Sequence, residues 1–414
     1  MIDKPEEILL PQGFAFSSLA AGIKASGRPD LALVEISGGA TTAALFTGNR
    51  VVAAPVEVGR ASLAASGGRV RALIVNSGNA NCATGRAGIA ACRRVCAETA
   101  RILGASAKEV FPSSTGIIGV PLPDEKIRAA LPALVRNRTA STQAAADFAR
   151  AIMTTDTRPK IASARISFAG KSPARNSKPQ SGKSITLLGV AKGAGMIHPQ
   201  LATMLVYLFT DAAAAARELR ASLRQACDES FNCMSIDGDT STNDTVLLLA
   251  SSASGVRLTS PVVKQQFSAA LNRVCQSLAE QIISDGEGVQ HVIRLHITGA
   301  RNRGEALTVA RTISHSLLVK TAWAGADPNW GRILAAVGRS GIAMDPSRVN
   351  ILIGDQEVCA GGVACAFDQN KAHRALAQPE CDVRVELGRG RSAIRFLTTD
   401  LTAEYVRINA DYST

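Results

Sequence analysis

The feature of this sequence with the most specific chemistry is a threonine that follows a small residue and opens a buried apolar run. In LATMLVYLF, residues 201–209, Ala202 and Thr203 stand before a continuous apolar stretch. A threonine hydroxyl at such a place can attack the carbonyl carbon of the preceding residue, and hydrolysis of the resulting ester leaves the threonine as a new N-terminus. Its α-amino group, with an unperturbed pKa of about 7.7–8.0, can then act as the general base for its own hydroxyl. The alternative interpretation is an ordinary buried threonine at the start of a structural element.

Thr203 lies in one of eight segments that are rich in small and hydroxyl-bearing residues. These segments are NSGNANCATG (76–85), PSSTGIIG (112–119), IMTTDT (152–157), KGAGMIHPQLATML (192–205), SIDGDTSTNDT (235–245), SDGEG (284–288), GADPNWGRIL (325–334) and INADYST (408–414). An ordinary turn needs only one Gly or Asn to supply a positive φ. Clusters of Gly, Ser, Thr and Asn beside buried strands therefore favour backbone donors and hydroxyls that converge on a polar ligand, although any single segment is also compatible with a turn alone.

Several familiar short motifs are incomplete in this chain. The GKS at 182–184 has Ser177 where a phosphate-binding loop requires a glycine. The segment DGDTSTNDT begins like a calcium loop but has Thr242 and Leu248 where that loop needs Gly and Glu. The nine cysteines form no CxxC pair and no zinc-ligand spacing. The sequence therefore predicts no metal site and reduced cysteines.

The composition indicates a folded protein of the cytoplasm. Of the 414 residues 46% are apolar and 19% are charged, which is typical of globular chains. No apolar stretch approaches the roughly 20 residues that a helix needs to cross a bilayer. The N-terminal MIDKPEEILLPQGF has acidic residues and prolines where a signal peptide needs a basic region followed by an apolar one. We expect neither a membrane partner nor secretion.

The formal net charge of +12 is concentrated in one part of the chain. Between Asp156 and Asp211 there are eight basic residues and no acidic one. Much of this excess surrounds the Ser-, Pro-, Gly- and Lys-rich segment 167–184, which we interpret as an exposed excursion. A nucleic-acid-binding module is a further hypothesis for it, but Phe168 is its one aromatic residue, and stacking on bases needs more. We therefore expect no nucleic-acid partner.

Short apolar strands alternate with amphipathic helices, a pattern that is typical of α/β proteins. The predicted strands are 71–78, 185–191, 245–251, 292–299 and 350–354. One predicted helix buries a stripe formed by Ile89, Cys92, Cys96, Thr99 and Leu103. A second, over 262–285, has an apolar face that points to the core and consists of Phe267, Leu271, Val274, Cys275, Leu278 and Ile282. The spacing of apolar residues also predicts one helix over 305–318, with Leu317 on its buried face. A further helix is predicted to begin after Asp211, which would cap it, and to point Leu219, Leu223 and Ala226 to the core.

Several of these motifs together resemble the ArgJ-type glutamate N-acetyltransferases, the ornithine acetyltransferases of arginine biosynthesis. They are GAGMIHPQLATML, DGDTSTNDTVLLLA, DPNWGRILAAVG, NSGNAN, SSTGIIG, MTTDT and the C-terminal DLTAEYVRINADYST. The likeness runs from PQGF near residue 11 to the last residue. It implies an α/β fold of paired β-sheets flanked by helices, the ornithine-acetyltransferase-like fold, with autocleavage at an internal threonine.

The resemblance also implies roles for individual residues. Thr203 matches the self-cleaving nucleophile, so cleavage between Ala202 and Thr203 would give an α chain of residues 1–202 and a β chain of residues 203–414. Thr115 and Gly116 match the pair that stabilises the oxyanion, through the hydroxyl and the backbone N–H. The matched substrate-binding positions are Thr154 or Thr155, Lys192, Thr203, Glu287, Asn409 and Thr414, with Thr154 preferred over Thr155 but not separated from it.

The implied reaction moves an acetyl group in two steps. Thr203 takes it from N2-acetyl-L-ornithine, releasing ornithine, and passes it to the amine of L-glutamate to form N-acetylglutamate. Glu287 suits the ammonium of an amino acid, and Lys192 suits its carboxylate. The resemblance implies no metal and no bound cofactor, and it leaves acetyl-CoA open as a second acetyl donor.

The resemblance further implies that the α and β chains stay associated, as a dimer of cleaved pairs. The alternative function is an N-terminal-nucleophile amidohydrolase or aminopeptidase, which uses the same nucleophile but transfers the acyl group to water. Dependence of turnover on glutamate distinguishes the two. The resemblance therefore implies a self-cleaving acyl-transferring enzyme with small-molecule substrates.

Overall fold

The structure is a computed structural model that describes residues 7–168, 183–198 and 204–411. In these ranges the chain forms fifteen β-strands, which make two mixed sheets, and eleven α-helices. The predicted α/β fold of paired sheets flanked by helices is therefore confirmed. Ala202, Thr203 and Thr414 of the predicted site lie outside the described residues, as do residues 169–182 of the basic segment.

The strands and helices are as follows. The strands are β1 (Phe14–Leu19), β2 (Leu31–Phe46), β3 (Arg69–Asn79), β4 (Val110–Ile117), β5 (Lys160–Ser167), β6 (Ser184–Lys192), β7 (Leu205–Thr210), β8 (Met234–Ser235), β9 (Thr245–Ala250), β10 (Val292–Ala300), β11 (Asn350–Ile353), β12 (Gln356–Ala360), β13 (Val363–Ala364), β14 (Glu380–Glu386) and β15 (Ser392–Thr399). The α-helices are α1 (Ala54–Ser66), α2 (Gly85–Leu103), α3 (Asp124–Arg136), α4 (Thr142–Ala151), α5 (Ala216–Asp228), α6 (Pro261–Ser284), α7 (Arg303–Ser314), α8 (Leu317–Ala324), α9 (Trp330–Gly338), α10 (Gln369–Leu376) and α11 (Ala403–Asp411). Three 3₁₀ turns cover Ala107–Glu109, Phe231–Cys233 and Pro346–Arg348.

The first sheet has eight strands in the order β4-β3-β2-β9-β7-β6-β5, and β1 pairs with β2. Its central strands β7 and β9 are buried along their whole length, as their continuous apolar sequences require. On one face Val206 and Leu208 pack in a core with helices α5 and α6. On the other face Tyr207 and Phe209 pack with α4 and β1. The sheet is thus covered on both sides.

The second sheet has seven strands in the order β13-β12-β11-β14-β10-β15-β8. Its core is a separate apolar cluster that includes Leu295 and Ile297 of β10, Ile313 of α7 and Trp323 of α8. The two-residue strand β8 pairs in parallel with β15 at the edge of this sheet. Because β8 directly precedes the hydroxyl-rich segment 235–245, the second sheet fixes where that segment begins.

The ends of several strands of the first sheet meet at one place. Lys192, at the end of β6, pairs with Leu205 at the start of β7, and Leu205 pairs with Thr245 at the start of β9. In the parallel pair of β3 and β4, Gly78 lies beside Gly116. Thr115 and Gly116 lie on β4 and Lys192 ends β6, so these strands place three of the predicted site residues.

The five predicted strands and the helix over 262–285 are confirmed, and the stripe of α2 is buried at Cys92 and Cys96. The single helix predicted over 305–318 is wrong. Helix α7 ends at Ser314, the His315 N–H bonds back to the Arg311 carbonyl, and a second helix begins at Leu317, whose side chain is 67% exposed. The chain turns there, so the apolar face of the first helix does not continue into the second.

Asp211 does not cap a helix, contrary to the sequence prediction. Helix α5 begins at Ala216, and Ala215 is its N-cap residue. The Asp211 carboxylate instead accepts hydrogen bonds from the backbone N–H groups of Thr186, at 2.9 Å, and Gln12, at 3.3 Å. The carboxylate therefore bonds to distant segments of the chain and not to the start of the neighbouring helix.

The inward residues predicted for this helix, Leu219, Leu223 and Ala226, are buried. No helix within the described ranges is both long and apolar enough to cross a membrane.

Candidate active site

A cavity at these strand ends is lined by residues from seven of the eight segments. It contains about 590 Å³ of empty space, part of which is open to solvent. The lining residues are Ala80, Thr115, Gly116, Ile118, Thr154, Thr155, Lys192, Gly195, Met196, Ser241, Thr242, Asn243, Glu287 and Asn409. Every predicted site residue in the described ranges is among them: Thr115, Gly116, Thr154, Thr155, Lys192, Glu287 and Asn409.

The eighth segment, 325–334, does not reach this cavity. It connects α8 to α9 on the second sheet, where the Asn329 side chain caps α9 by accepting a hydrogen bond from the Arg332 N–H at 3.2 Å. The expectation that all eight segments converge is therefore wrong for this one, whose polar residues serve local turn and capping chemistry.

Thr115 and Gly116 are held in the cavity by the pairing of β4 with β3. Gly116 has a φ of +131°, and a Cβ atom at this position would lie 2.3 Å from the carbonyl carbon of Gly78. Only glycine fits such a close approach of two backbones. The Thr115 hydroxyl oxygen accepts a hydrogen bond from Lys192 Nζ at 3.1 Å, and both side chains are buried. A hydroxyl and a glycine backbone thus face the cavity side by side.

Asn243 is a site residue that the sequence analysis did not assign. Its side-chain amide donates to the carbonyl oxygens of Ala80, at 2.7 Å, and Ser114, at 2.9 Å. The Thr242 hydroxyl donates to Asn243 Oδ1 at 2.6 Å. Asn243 therefore ties the segment 235–245 to the β3 and β4 ends. The composition of that segment was a signal, but it could not show which of its residues face the cavity.

A buried charge network contacts the lining residue Thr154, and the sequence analysis did not predict this network. Lys160, fully buried, donates to Asp156 and to Asp285, both at 2.6 Å. Asp156 also accepts from the backbone N–H groups of Gly193, at 2.7 Å, and Thr154, at 3.0 Å. The network therefore joins the segments 152–157, 192–205 and 284–288.

The electrostatics of this region depend on the balance between burial and opposite charges. Burial raises the pKa of Asp156, but Lys192 and Lys160 outweigh it and lower that pKa to about 2. Burial lowers the pKa of Lys192, and Asp156 is the strongest group that opposes this decrease. Asp156 is therefore ionised at neutral pH and supports the charge of Lys192.

Glu287 supplies the negative charge of the cavity. Its backbone N–H bonds to the Ala194 carbonyl at 2.9 Å, and its carboxylate accepts from the Asn409 amide at 2.9 Å. Of the described lining residues, Lys192 and Glu287 are the ones with charged side chains. The cavity thus offers one cation and one anion among hydroxyl, amide and backbone groups.

The chain is held on both sides of residues 199–203. Before them, the backbone N–H groups of Met196 and Ile197 donate to the Asp237 carboxylate, whose pKa burial raises to about 6. After them, the Met204 N–H donates to Asp244 Oδ1 at 2.9 Å. Met196 lines the cavity, and Asp244 adjoins the lining residue Asn243. No group of three or more potential metal ligands occurs in the part of the chain that the structure describes.

Two mixed sheets with flanking helices, and a cavity that offers one cation, one anion and a set of hydroxyl and amide groups, are typical of an α/β enzyme that acts on small molecules. The chain belongs to the ArgJ family, whose sequence model matches residues 15–414. The family predicted from the motifs is thereby confirmed, together with an enzyme of the glutamate N-acetyltransferase type.

Two curated relatives cover nearly the whole chain. The "Arginine biosynthesis bifunctional protein ArgJ" of Methylococcus capsulatus is 45% identical over 406 residues, which are 97% of this chain and 95% of the relative. The protein of the same name from Thermus thermophilus is 44% identical over 407 residues, or 98% of this chain and 100% of the relative. These relatives do not favour the amidohydrolase alternative.

Two solved structures are also similar to parts of the chain. The crystal structure of the ArgJ protein of Bacillus halodurans is 38% identical, with a TM-score of 0.48, and covers 50% of this chain and 98% of that one. The ornithine acetyltransferase of Mycobacterium tuberculosis, complexed with ornithine, is 36% identical, with a TM-score of 0.38, and covers 46% of this chain and 92% of that one.

Proposed function

We propose that the chain transfers an acetyl group from N2-acetyl-L-ornithine to L-glutamate, with Thr203 carrying the acetyl group between them. The observation that supports this most directly is the charge pattern of the cavity. Lys192 and Glu287 place a cation and an anion in a cavity that also contains Thr115 and Gly116. An amino acid presents a carboxylate and an ammonium, so the pair matches both substrates, and the hydroxyl and glycine suit an acyl-transfer intermediate.

The nucleophile is generated by self-cleavage. The Thr203 hydroxyl attacks the Ala202 carbonyl, the peptide C–N bond breaks to give an ester, and one water hydrolyses that ester. The products are the chains 1–202 and 203–414, with a free amine on Thr203. The position of Met204, bonded to Asp244 beside the cavity, supports this role for its neighbour in sequence.

Acetyl transfer then proceeds through two tetrahedral intermediates. Thr203 Oγ attacks the acetyl carbon while its amine accepts the hydroxyl proton, and the negative oxygen is stabilised by the Thr115 hydroxyl and the Gly116 N–H. The C–N bond to ornithine breaks, and the proton passes to the leaving amine. The amine of glutamate next attacks the acetyl ester, and the same groups return the proton to Thr203 Oγ. One such oxyanion donor typically contributes about 2.7–4 kcal/mol.

Substrate binding is assigned to the charged pair and to three further groups. Lys192 binds the carboxylate, and Glu287, oriented by Asn409, binds an ammonium. Thr154 or Thr155 adds a hydroxyl from the segment 152–157. Thr414 is the remaining group, and its role is carried over from the family resemblance.

Four further points belong to the same proposal. The transfer needs no bound cofactor, and acetyl-CoA is a candidate second donor because both curated relatives are named bifunctional. The α and β chains stay paired, and the pairs form a dimer. The protein acts on small molecules and has neither nucleic-acid nor membrane partners. A cytoplasmic location is part of the same proposal.

The test measures intact mass and acetyl exchange on the same sample. We expect two fragments that meet at Ala202/Thr203, and labelled N-acetylglutamate formed from acetyl-labelled N-acetylornithine only when glutamate is present. Thr203→Ala should remain full length and inactive, whereas Thr203→Ser, which keeps the hydroxyl, should cleave slowly. Acetate released at the same rate without glutamate would support the hydrolase instead. Cleavage at this bond in Thr203→Ala would rule out Thr203 as the nucleophile.

A further inference from the structure

The contact between Lys192 and Thr115 has a fixed direction. Lys192 Nζ lies 3.1 Å from Thr115 Oγ1 in a buried position. A lysine ammonium has three donors and no acceptor, whereas a hydroxyl donates one hydrogen bond and accepts two. Thr115 therefore accepts this hydrogen bond, and its own proton is directed to a different acceptor.

The arrangement around Thr115 indicates where that acceptor lies. Across the described ranges, Lys192 is the one hydrogen-bond partner of the Thr115 hydroxyl. Both residues line the cavity. The Thr115 proton is thus available to a molecule in the cavity, where the negative oxygen of the tetrahedral intermediate would form.

Lys192 is buried among groups that favour its charged form. Burial lowers its pKa, and the carboxylates of Asp156, Asp244 and Glu287 oppose that decrease, Asp156 most strongly, while Lys160 adds to it. In a low-dielectric interior a charge beside a hydroxyl polarises the O–H bond and strengthens the hydrogen bond that this hydroxyl donates. A charged Lys192 would therefore make Thr115 a better donor.

We propose that Lys192 is a positioning residue for the oxyanion site: its ammonium directs the Thr115 hydroxyl into the cavity and strengthens it as a donor. This inference rests on the proposed function, in which Thr115 stabilises the oxyanion. It is separate from carboxylate binding, because one of the three Lys192 donors is used for Thr115 and two remain. Lys192 should then matter even for an acetyl donor that has no carboxylate.

The test uses p-nitrophenyl acetate, which carries an acetyl group but neither a carboxylate nor an ammonium. The burst of p-nitrophenol reports acetylation of Thr203 in the cleaved enzyme. We expect Lys192→Met to lower the saturating acetylation rate constant by about tenfold or more. In a Thr115→Ala background the same substitution should change it by less than about twofold, because the hydroxyl on which Lys192 acts is absent.

Three further variants serve as controls. Lys24→Met removes a nearby cation that donates to the carbonyl oxygens of Ala151 and Met153 and has no hydrogen bond to Thr115. Its effect should be equal in both Thr115 backgrounds. Lys192→Arg keeps the charge and should restore part of the rate. Lys192→Gln, whose amide can still donate to nearby carboxylates, is measured in parallel in case the Met variant does not fold. It too should lower the acetylation rate constant only when the Thr115 hydroxyl is present.

Two results would overturn the inference. Lys192→Met could leave the reaction with the ester unchanged, or it could lower the rate by the same factor with and without the Thr115 hydroxyl. Either result would show that Lys192 does not act through the Thr115 hydroxyl. A wild-type enzyme that reacts with the ester but passes no label from N-acetylornithine to glutamate would contradict the proposed function instead. The rates of the Lys192 and Thr115 variants with the ester would still test whether the two residues act together.

Discussion

At the scale of single residues, the proposed function gives the cavity charges that select a molecule and donors that promote its reaction, and Lys192 has a part in both. In this proposal Lys192 and Glu287 carry the charges that distinguish a zwitterion from other small molecules. Thr115 and Gly116 are proposed to donate to a charge that exists only near the transition state. Loss of such a donor lowers kcat, whereas loss of a binding charge raises KM.

Thr115→Ala should therefore slow both half-reactions by about 10²–10³ while changing KM little. Ser113→Ala is the matched control, because Ser113 is a buried hydroxyl on the same strand but does not line the cavity. Burst and steady-state kinetics on both variants provide the measurement. A rise in KM with unchanged turnover would identify Thr115 as a binding residue instead.

At the scale of secondary-structure elements, helix α11 packs against the turn that contains Glu287. The Thr402 hydroxyl donates to the Gly288 carbonyl at 2.6 Å. Gly288 has a φ of +66°, and a Cβ atom there would lie 2.4 Å from the backbone nitrogen of Tyr405. The helix thus packs directly on this glycine, and this packing brings Asn409 to Glu287.

Gly288→Ala should displace α11 and raise KM for both amino-acid substrates about tenfold or more, through loss of the Asn409 contact to Glu287. Self-cleavage should persist, because it requires Thr203 and its local donors. Gly341→Ala provides the control: Gly341 also has a positive φ, +79°, but has no atom within 4 Å of the added Cβ. Similar KM values in the two variants would show that backbone strain, and not displacement of α11, causes the rise in KM.

At the scale of the whole molecule, the network of Lys160, Asp156 and Asp285 joins parts of the chain that are far apart in sequence. Lys160 and Asp285 are separated by 125 positions. Removing one member of a buried ion pair typically costs about 3–5 kcal/mol. Without the Asp156 charge, Lys160 keeps Asp285, but buried Lys192 loses the carboxylate that most favours its charged form. The pKa of Asp156, about 2, lies below the value of roughly 3.9 for an unfolded aspartate. Its stabilising contribution is therefore present above about pH 4 and is lost as the pH falls through about 2.

Asp156→Asn should lower the free energy of unfolding at pH 7 by about 3–5 kcal/mol and reduce its pH dependence between about pH 4 and 2. Asp382→Asn is the control. The hydrogen bond from Arg294 likewise lowers the pKa of Asp382 to about 2, but its side chain is 48% exposed. Solvent screening should limit that loss to under about 1 kcal/mol. Urea unfolding at pH 7, 4 and 3 measures both, and equal losses would contradict a special role for the buried network.

The sequence by itself determined the features that depend on local patterns. Apolar patterns placed helix α6 and five of the strands, three in the first sheet and two in the second, because the spacing of inward side chains within one element can be read from consecutive residues. Long motifs were sufficient to assign the family and to select Lys192 and Glu287. Local pattern failed at Leu317 and Asp211, where the chain turns or where a carboxylate is used by a distant segment.

Only the tertiary structure decided how the site is built. Asn243 reaches Ala80 across 163 positions, and Asp156 holds Gly193 and Lys160 together. Such contacts depend on which strands become neighbours in the sheet, and no short stretch of sequence encodes that pairing. The direction of the Lys192–Thr115 hydrogen bond likewise follows from placing an ammonium and a hydroxyl 3.1 Å apart in a buried space, a distance that arises only once β4 and β6 end at the same cavity.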